Sequence, residues 1–170
     1  WLNLNRPQVT PTPTFTPTPT ATPTGIPTPV SGRFSQGQCL GNGNSHDLAL
    51  GDLDDDGDLD AFVANSGGAN GVWLNDATGG FVENGQALGS GNSYGVALGD
   101  LDGDGDLDAY VAGIGANEVW LNDGAGTFIN SGQSLGSSHS MAVALEDVEG
   151  DGDLDAFVAN GDGQPNVVWL

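Results

Sequence analysis

The chain has 170 residues, room for one domain and a tail, and carries 23 acids against only two bases, Arg6 and Arg33. A formal charge of −21 excludes nucleic acid as a partner, because neutralising phosphates takes Lys and Arg. No apolar run approaches the ~20 residues of a membrane helix, and the single cysteine, Cys39, excludes an intrachain disulfide. The sequence opens at Trp1 without Met, as a mature or excerpted chain does, and no signal-peptide pattern is expected within it.

Residues 1–5 form the first predicted element, an orphan β-strand. Trp1-Leu2-Asn3 copies Trp73-Leu74-Asn75 and Trp120-Leu121-Asn122 further along. A lone strand is not stable in water, so its expected fate is addition to the sheet of a neighbouring copy. Such head-to-tail contacts do not close and build fibres. Residues 6–32 are a Pro/Thr-rich linker. Proline fixes its own φ, removes a donor and pushes its predecessor toward extended geometry. The stretch is therefore expected to be a polyproline-II-like spacer. Its threonines, Thr10, Thr12, Thr14, Thr16, Thr18, Thr20, Thr22, Thr24 and Thr28, are candidate O-glycosylation sites.

Residues 33–170 hold three tandem repeats, about 34–80, 81–127 and 128–170. Phe34, Phe81 and Phe128 are 47 residues apart each time. Gln38, Gln86 and Gln133 follow, each two residues before a leucine. Then come Leu48-Ala-Leu50, Val96-Ala-Leu98 and Val143-Ala-Leu145, and after an acidic stretch Ala61-Phe-Val-Ala64, Ala109-Tyr-Val-Ala112 and Ala156-Phe-Val-Ala159. Val72-Trp-Leu74, Val119-Trp-Leu121 and Val168-Trp-Leu170 end the series. Short β-branched and aromatic segments bounded by Gly, Asn and Asp predict four strands per repeat and no helix. The recurring tryptophans read as core. Cys39 falls in the same small-residue slot as Ala87 and Ser134. His46, Tyr94 and His139 stand at corresponding places before the first strand of each repeat, where turn or surface roles are expected.

The acidic stretches are one sentence written three times: Asp52–Asp60, Asp100–Asp108 and Asp147–Asp155. They hold six, five and five of the chain's acids. Two carboxylates ~4 Å apart repel by roughly 4 kcal/mol at an effective dielectric near 20. With no lysine in the chain, a divalent cation is the evident counter-charge. Oxygen ligands at alternate positions, with Gly57, Gly105 and Gly152 at the sixth, suit calcium better than magnesium. Leu59, Leu107 and Leu154 are expected to turn inward and anchor their own loops. An EF-hand does not fit, since its twelfth-position Glu is replaced by Val63, Val111 and Val158 and no flanking helices are predicted.

Residues 97–112, Ala-Leu-Gly-Asp-Leu-Asp-Gly-Asp-Gly-Asp-Leu-Asp-Ala-Tyr-Val-Ala, followed by Val-Trp-Leu-Asn-Asp-Gly-Ala-Gly-Thr-Phe (119–128), closely resemble the FG-GAP/VCBS repeat. That repeat is the blade of integrin-α-like β-propellers and of many secreted bacterial proteins. The resemblance covers residues 34–170. It implies an all-β fold: three tandem four-stranded propeller-like blades in a compact pseudo-threefold body, with an extended Pro/Thr-rich N-terminal segment. It also implies that the acidic loop joins the first two strands of a blade and binds calcium, about three ions in all. The implied side-chain ligands are Asp52, Asp54, Asp56 and Asp60; Asp100, Asp102, Asp104 and Asp108; and Asp147, Glu149, Asp151 and Asp155. Asp58, Asp106 and Asp153 would each supply a backbone carbonyl. Glu149 departs from the pattern, so the third site is expected to be the weakest. Propellers usually have four to eight blades, and three fall short. Ring closure would let the strand near Phe34 complete the blade begun near Val143.

No nucleophile with a base and an orienting group is legible, so no catalytic residue is assigned and no enzyme is expected. The expected function is that of an extracellular, secreted structural protein, a subunit of a calcium-stabilised surface fibre or filament joined head-to-tail by the Trp1–Asn3 strand to copies of itself. The alternative is an adhesin or lectin-like module that binds glycans or proteins in cell adhesion.

Overall fold

The computed structural model describes residues 35–170. The expected donor strand Trp1–Asn3, the linker 6–32 with its threonines, and Phe34 lie outside the described residues. Within the compact unit Gly37–Leu170 there are eleven strands and, among the described residues, no helix. The first sheet is an antiparallel meander of β1 (Ser45–Gly51), β2 (Asp60–Asn65), β3 (Gly71–Asn75) and β4 (Phe81–Glu83). The second repeats it with β5 (Ser93–Gly99), β6 (Asp108–Gly113), β7 (Glu118–Asn122) and β8 (Phe128–Asn130). The third has β9 (Ser140–Glu146), β10 (Asp155–Asn160) and β11 (Val167–Trp169), and its β11 edge has no fourth strand among the described residues.

Strand register gives each sheet two unlike faces. On one, here the front, a small alanine lies between two large side chains: Leu50, Ala61, Trp73; Leu98, Ala109, Trp120; Leu145, Ala156, Trp169. On the back, a large ring lies between smaller residues: Ala49, Phe62, Val72; Ala97, Tyr110, Val119; Ala144, Phe157, Val168. A ridge thus meets a trough wherever a back packs on a front, which is how facing layers reach interior density. The back of the first sheet, with Phe62 and Val72, packs on the front of the second, with Val96, Val111 and Trp120. The back of the second, with Tyr110 and Val119, packs on the front of the third, with Val143, Leu145, Val158 and Trp169. Packing therefore runs first to second and second to third, and strand pairing does not close the sheets into a ring.

The inward-anchor role expected of Leu59, Leu107 and Leu154 is corrected. Leu107 reaches back to the preceding sheet, where a Cβ on Gly51 would lie 2.6 Å from its Cδ1. Leu154 does the same over Gly99, also at 2.6 Å. Glycine is required there for close approach. Leu59, with no described sheet before it, is 56% exposed, whereas Leu53 in the same loop is buried. Two of the glutamines clamp Phe strands more than forty residues away. Gln38 accepts from the Phe81 N–H at 2.8 Å and donates to its carbonyl at 2.7 Å. Gln86 accepts from the Phe128 N–H at 2.8 Å and donates to the Gly126 carbonyl at 2.7 Å. The tryptophans divide: Trp120 is buried, while Trp73 and Trp169 are half-buried. Cys39 is exposed, so its slot is small but not interior.

Candidate metal centre

Each acidic loop bridges the first two strands of its sheet, because Gly51 pairs with Asp60, Gly99 with Asp108 and Glu146 with Asp155. The loop must therefore reverse within eight residues or fewer, and its own carboxylates shape it. Asp52 accepts from the N–H groups of Asp56 (3.2 Å) and Gly57 (3.0 Å). Asp100 accepts from Gly103 (2.8 Å) and Gly105 (3.1 Å). Asp147 accepts from Gly150 (2.6 Å), Asp151 (3.1 Å) and Gly152 (3.0 Å). Gly57, Gly105 and Gly152 have φ of 94°, 99° and 103°, a backbone that a side chain rarely adopts. At the fourth position Gly103 and Gly150 are also left-handed, and in the first loop Asp55 takes that conformation at φ 62°.

The ninth-position aspartates are buried staples. Asp60 accepts from Leu53 N–H and Asn75 N–H, both at 2.8 Å. Asp108 accepts from Leu101 N–H at 2.9 Å and Asn122 N–H at 2.8 Å. Asp155 accepts from Val148 N–H at 2.8 Å. Each ties its loop to the sheet and still has lone pairs to spare. Burial pushes the Asp108 carboxyl up from its ordinary value, against the two N–H donors that pull it down.

In the first loop Asp52, Asp54 and Asp60 bring carboxylate oxygens within 4.8 Å of one another; in the second, Asp100, Asp102 and Asp108 do the same. Oxygens that share a calcium at ~2.4 Å lie no further apart than about this. Asp54 supplies the test of fit. Its Oδ1 is buried and has no hydrogen-bond partner, and its carboxyl is pushed up by burial first, then by the charges of Asp60 and Asp56. An unsatisfied buried oxygen beside like charges is what a cation relieves. The fifth-position Asp56, Asp104 and Asp151 stand outside these groups, each accepting from the N–H two residues on, that of Asp58, Asp106 or Asp153. The third loop, with Asp147, Glu149 and Asp155, gathers no such triad. Its Glu149 carboxyl is raised chiefly by the Asp151 charge.

The loops crowd one another as well. Asp52, Asp55 and Asp106 line a cleft of about 170 Å³ between the first two, and Asp100, Asp102 and Asp153 one of about 250 Å³ between the second and third. Asp106 is pushed up by burial, then by Asp104 and by Asp55 across the cleft. Neither Lys nor Arg occurs after Arg33. The one contact of a basic side chain with a carboxylate among the described residues, His139 Nδ1 with Asp162 Oδ2 at 2.8 Å, involves none of the loop acids.

Three features escaped the sequence reading. Asn122 donates to the carbonyls of Leu53 (2.9 Å) and Leu107 (3.2 Å), tying one loop to the next. Asp76 and Asp123 close the turn before each Phe strand by accepting from the N–H groups of Thr78 and Gly80, and of Ala125 and Thr127. The repeated Asn-Asp after Trp-Leu was the available signal. His46, Tyr94 and His139, which the reading aligned, form a ladder of rings with centroids 4.5 and 4.9 Å apart, one rung per sheet.

Antiparallel meanders stacked face to face, each with an acidic loop between its first two strands, define a class of tandem β-repeat proteins. The chain belongs to the FG-GAP-like repeat family, whose sequence profile matches residues 52–111 and again 100–158. None of the curated proteins gives a significant match. The family is a non-catalytic repeat fold. Among the described residues no helix is long and apolar enough to cross a membrane.

Proposed function

We propose that this chain is a subunit of an extracellular fibre whose acidic loops are hardened by calcium, about three ions per chain, and whose copies join head-to-tail through the N-terminal segment. The observation that carries the reading is that the front of the first sheet and the back of the third are unlike halves of one repeating contact, exposing Leu48 and Leu50 on one and Phe157 and Val168 on the other. A contact between two different surfaces propagates unless its rotation closes a ring. The expected pseudo-threefold body would use the same two faces within one chain; a fibre uses them between chains. Calcium outside cells is abundant enough to fill weak loops, and a Pro/Thr spacer suits a secreted, glycosylated thread. Calcium supplies positive charge at Asp52, Asp54 and Asp60 and at Asp100, Asp102 and Asp108, and the chain's own part is to hold those oxygens in place through the staples at Asp60 and Asp108.

Electron microscopy of the purified chain tests this. Filaments are expected in millimolar calcium, with loss on adding chelator and on deleting residues 1–5. Particles that stay single at every calcium concentration would sink the fibre reading.

A further inference from the structure

We infer that Asn122 is a positioning residue shared by the first and second acidic loops, and that it makes their two calcium sites a linked pair. The link rests on the calcium reading and does not require a fibre. Asn122 ends β7 of the second sheet and is 5% exposed. Its side-chain amide offers two N–H donors and has two acceptors. They are the Leu53 carbonyl of the first loop at 2.9 Å and the Leu107 carbonyl of the second at 3.2 Å. Those carbonyls belong to the peptide units that lead into Asp54 and Asp108. Asp54 and Asp108 are triad members, one from each loop. The Asn122 backbone adds a third hold, its N–H donating to Asp108 Oδ1 at 2.8 Å. On the far side the Leu53 N–H donates to Asp60 Oδ2 at 2.8 Å. An unbroken path of hydrogen bonds therefore runs from Asp60 through Leu53 and Asn122 to Asp108, joining the buried aspartates of two different triads.

Asn75 is the internal control. It stands at the same place in the first sheet, and its N–H holds Asp60 Oδ1 as that of Asn122 holds Asp108. Its side-chain amide, however, donates to the Leu59 carbonyl of its own loop at 3.2 Å, and its Oδ1 is buried with no partner. The same residue type at the same register thus reaches one acidic loop from the first sheet and two from the second.

The surroundings give the link its direction. Asn122 lines the cleft between the two loops beside Asp52, Asp55 and Asp106, and it alone among the lining residues carries side-chain N–H donors. Charge by itself sets the sites against each other, because a cation in one loop lessens the negative potential that draws a cation to the other. In about 1 M salt that effect is screened beyond roughly 3 Å. The Asn122 bridge acts the opposite way and at contact range. A loop tightened around its ion fixes one of the two carbonyls and so holds the amide in place for the other. Groups that orient metal ligands are worth about ten- to a hundredfold in affinity, and the help is reciprocal by linkage.

An NMR titration of the full chain with calcium at that high salt tests the link. The amides of Gly57, Gly105 and Gly152, each at the sixth position of its loop, report the three loops separately. In the unsubstituted chain the first two respond together, with slopes steeper than one. Asn122→Ala weakens both by about tenfold, brings their slopes to one and leaves the Gly152 midpoint in place. Asn75→Ala weakens chiefly the first. Asp102→Asn, at an exposed member of the second triad, weakens its own site and also lowers affinity at the first by about fivefold. In the Asn122→Ala background that second effect disappears. With no calcium present, Asn122→Ala speeds hydrogen exchange of the Leu53 amide. A loss confined to the second loop makes Asn122 a staple of its own sheet and overturns the inference. Equal losses at all three loops do so too, since they mark general destabilisation. Should Asn122→Ala fail to fold, a first site indifferent to Asp102→Asn in the otherwise unsubstituted chain overturns it alone. Glycine amides that ignore calcium altogether sink the calcium reading itself.

Discussion

The second sheet and its two neighbours are built from nearly the same sentence, yet only the second has a partner on both faces among the described residues. Tyr110 is 2% exposed and Val119 4%, while Phe157 and Val168, their counterparts in the third sheet, are 48% and 40% exposed. On the other face Val96 is 6% exposed and Leu48, its counterpart in the first sheet, 57%. Apolar residues at matching register thus hold different energies according to what lies opposite. The repeat encodes an interface rather than an interior, and a single sheet cannot bury both of its faces.

Paired ring truncations give the sharpest way to break that comparison. Phe62→Ala empties a filled contact and is expected to destabilise the body by about 3–5 kcal/mol. Phe157→Ala, at the matching position of the third sheet, removes a half-exposed ring and is expected to cost well under half of that in a dilute, unassociated sample. Urea melts of both variants decide it. Equal losses would mean that the third sheet's back is covered after all.

The acidic loops sharpen the comparison next. Each loop that binds calcium in the folded state alone adds about 2.7 kcal/mol at a hundredfold excess over its Kd. Excess EDTA should therefore lower Tm markedly, and an unchanged Tm would end the calcium reading. Calorimetric titration should rank the sites. The first two loops, whose triads are already gathered, bind more tightly than the third, and Asp54→Asn costs more affinity than Asp151→Asn.

A smaller effect separates the first loop from the other two. Asp55 holds a left-handed conformation that Gly103 and Gly150 adopt without a side chain, and it also presses on Asp106 across the cleft. Asp55→Gly is expected to raise metal-free stability by roughly 0.5–1 kcal/mol, through relief of backbone strain and of like charge. A lower urea midpoint for this variant would show that the added chain entropy of Gly outweighs both.

Much of this was legible because the repeat is written in local terms. Alternation, Gly and Asn-Asp turns, and the Asp-x-Asp-x-Asp-Gly pattern all act within a hairpin. The strands and the loops therefore sit where the spacing put them, and the carboxylates of Asp52, Asp54 and Asp60, and of Asp100, Asp102 and Asp108, converge as candidate ligands. What was not legible depends on the neighbouring sheet. Leu107 and Leu154 were expected to anchor their own loops because nothing within nine residues marks a cross-sheet role; the signal lay in Gly51 and Gly99, more than a full repeat upstream. Gln38 and Gln86 were visible as repeated letters, but a clamp on a strand more than forty residues away has no local signature. The ring expected from three blades is not closed by strand pairing among the described residues, and the strand near Phe34 that was to close it lies outside them. Pairwise packing of successive sheets fixes each contact and leaves the total rotation free.

The smallest expected effect concerns the turns before β4 and β8. Asp76 accepts the Thr78 hydroxyl at 2.7 Å besides two backbone N–H groups, while in the second repeat Ala125 stands where Thr78 does and offers no hydroxyl. The hydroxyl is the foremost cause, ahead of the Thr78 and Gly80 N–H groups, that holds the Asp76 carboxyl below its ordinary value. A carboxyl whose folded pKa is depressed binds protons more readily when unfolded. Its contribution to stability is therefore present at pH values above the ordinary carboxylate range and is lost as pH falls through the folded value. Because the group is fully exposed, the effect on global stability is slight and is best read locally. In an NMR titration of the carboxyl carbons, Thr78→Val should move the Asp76 midpoint upward and loosen the hydrogen-exchange protection of the Gly80 amide, with the β5–β6 hairpin unchanged. An unmoved midpoint would assign the depression to the backbone donors, and the two turns would then be electrostatically alike despite their different sequences.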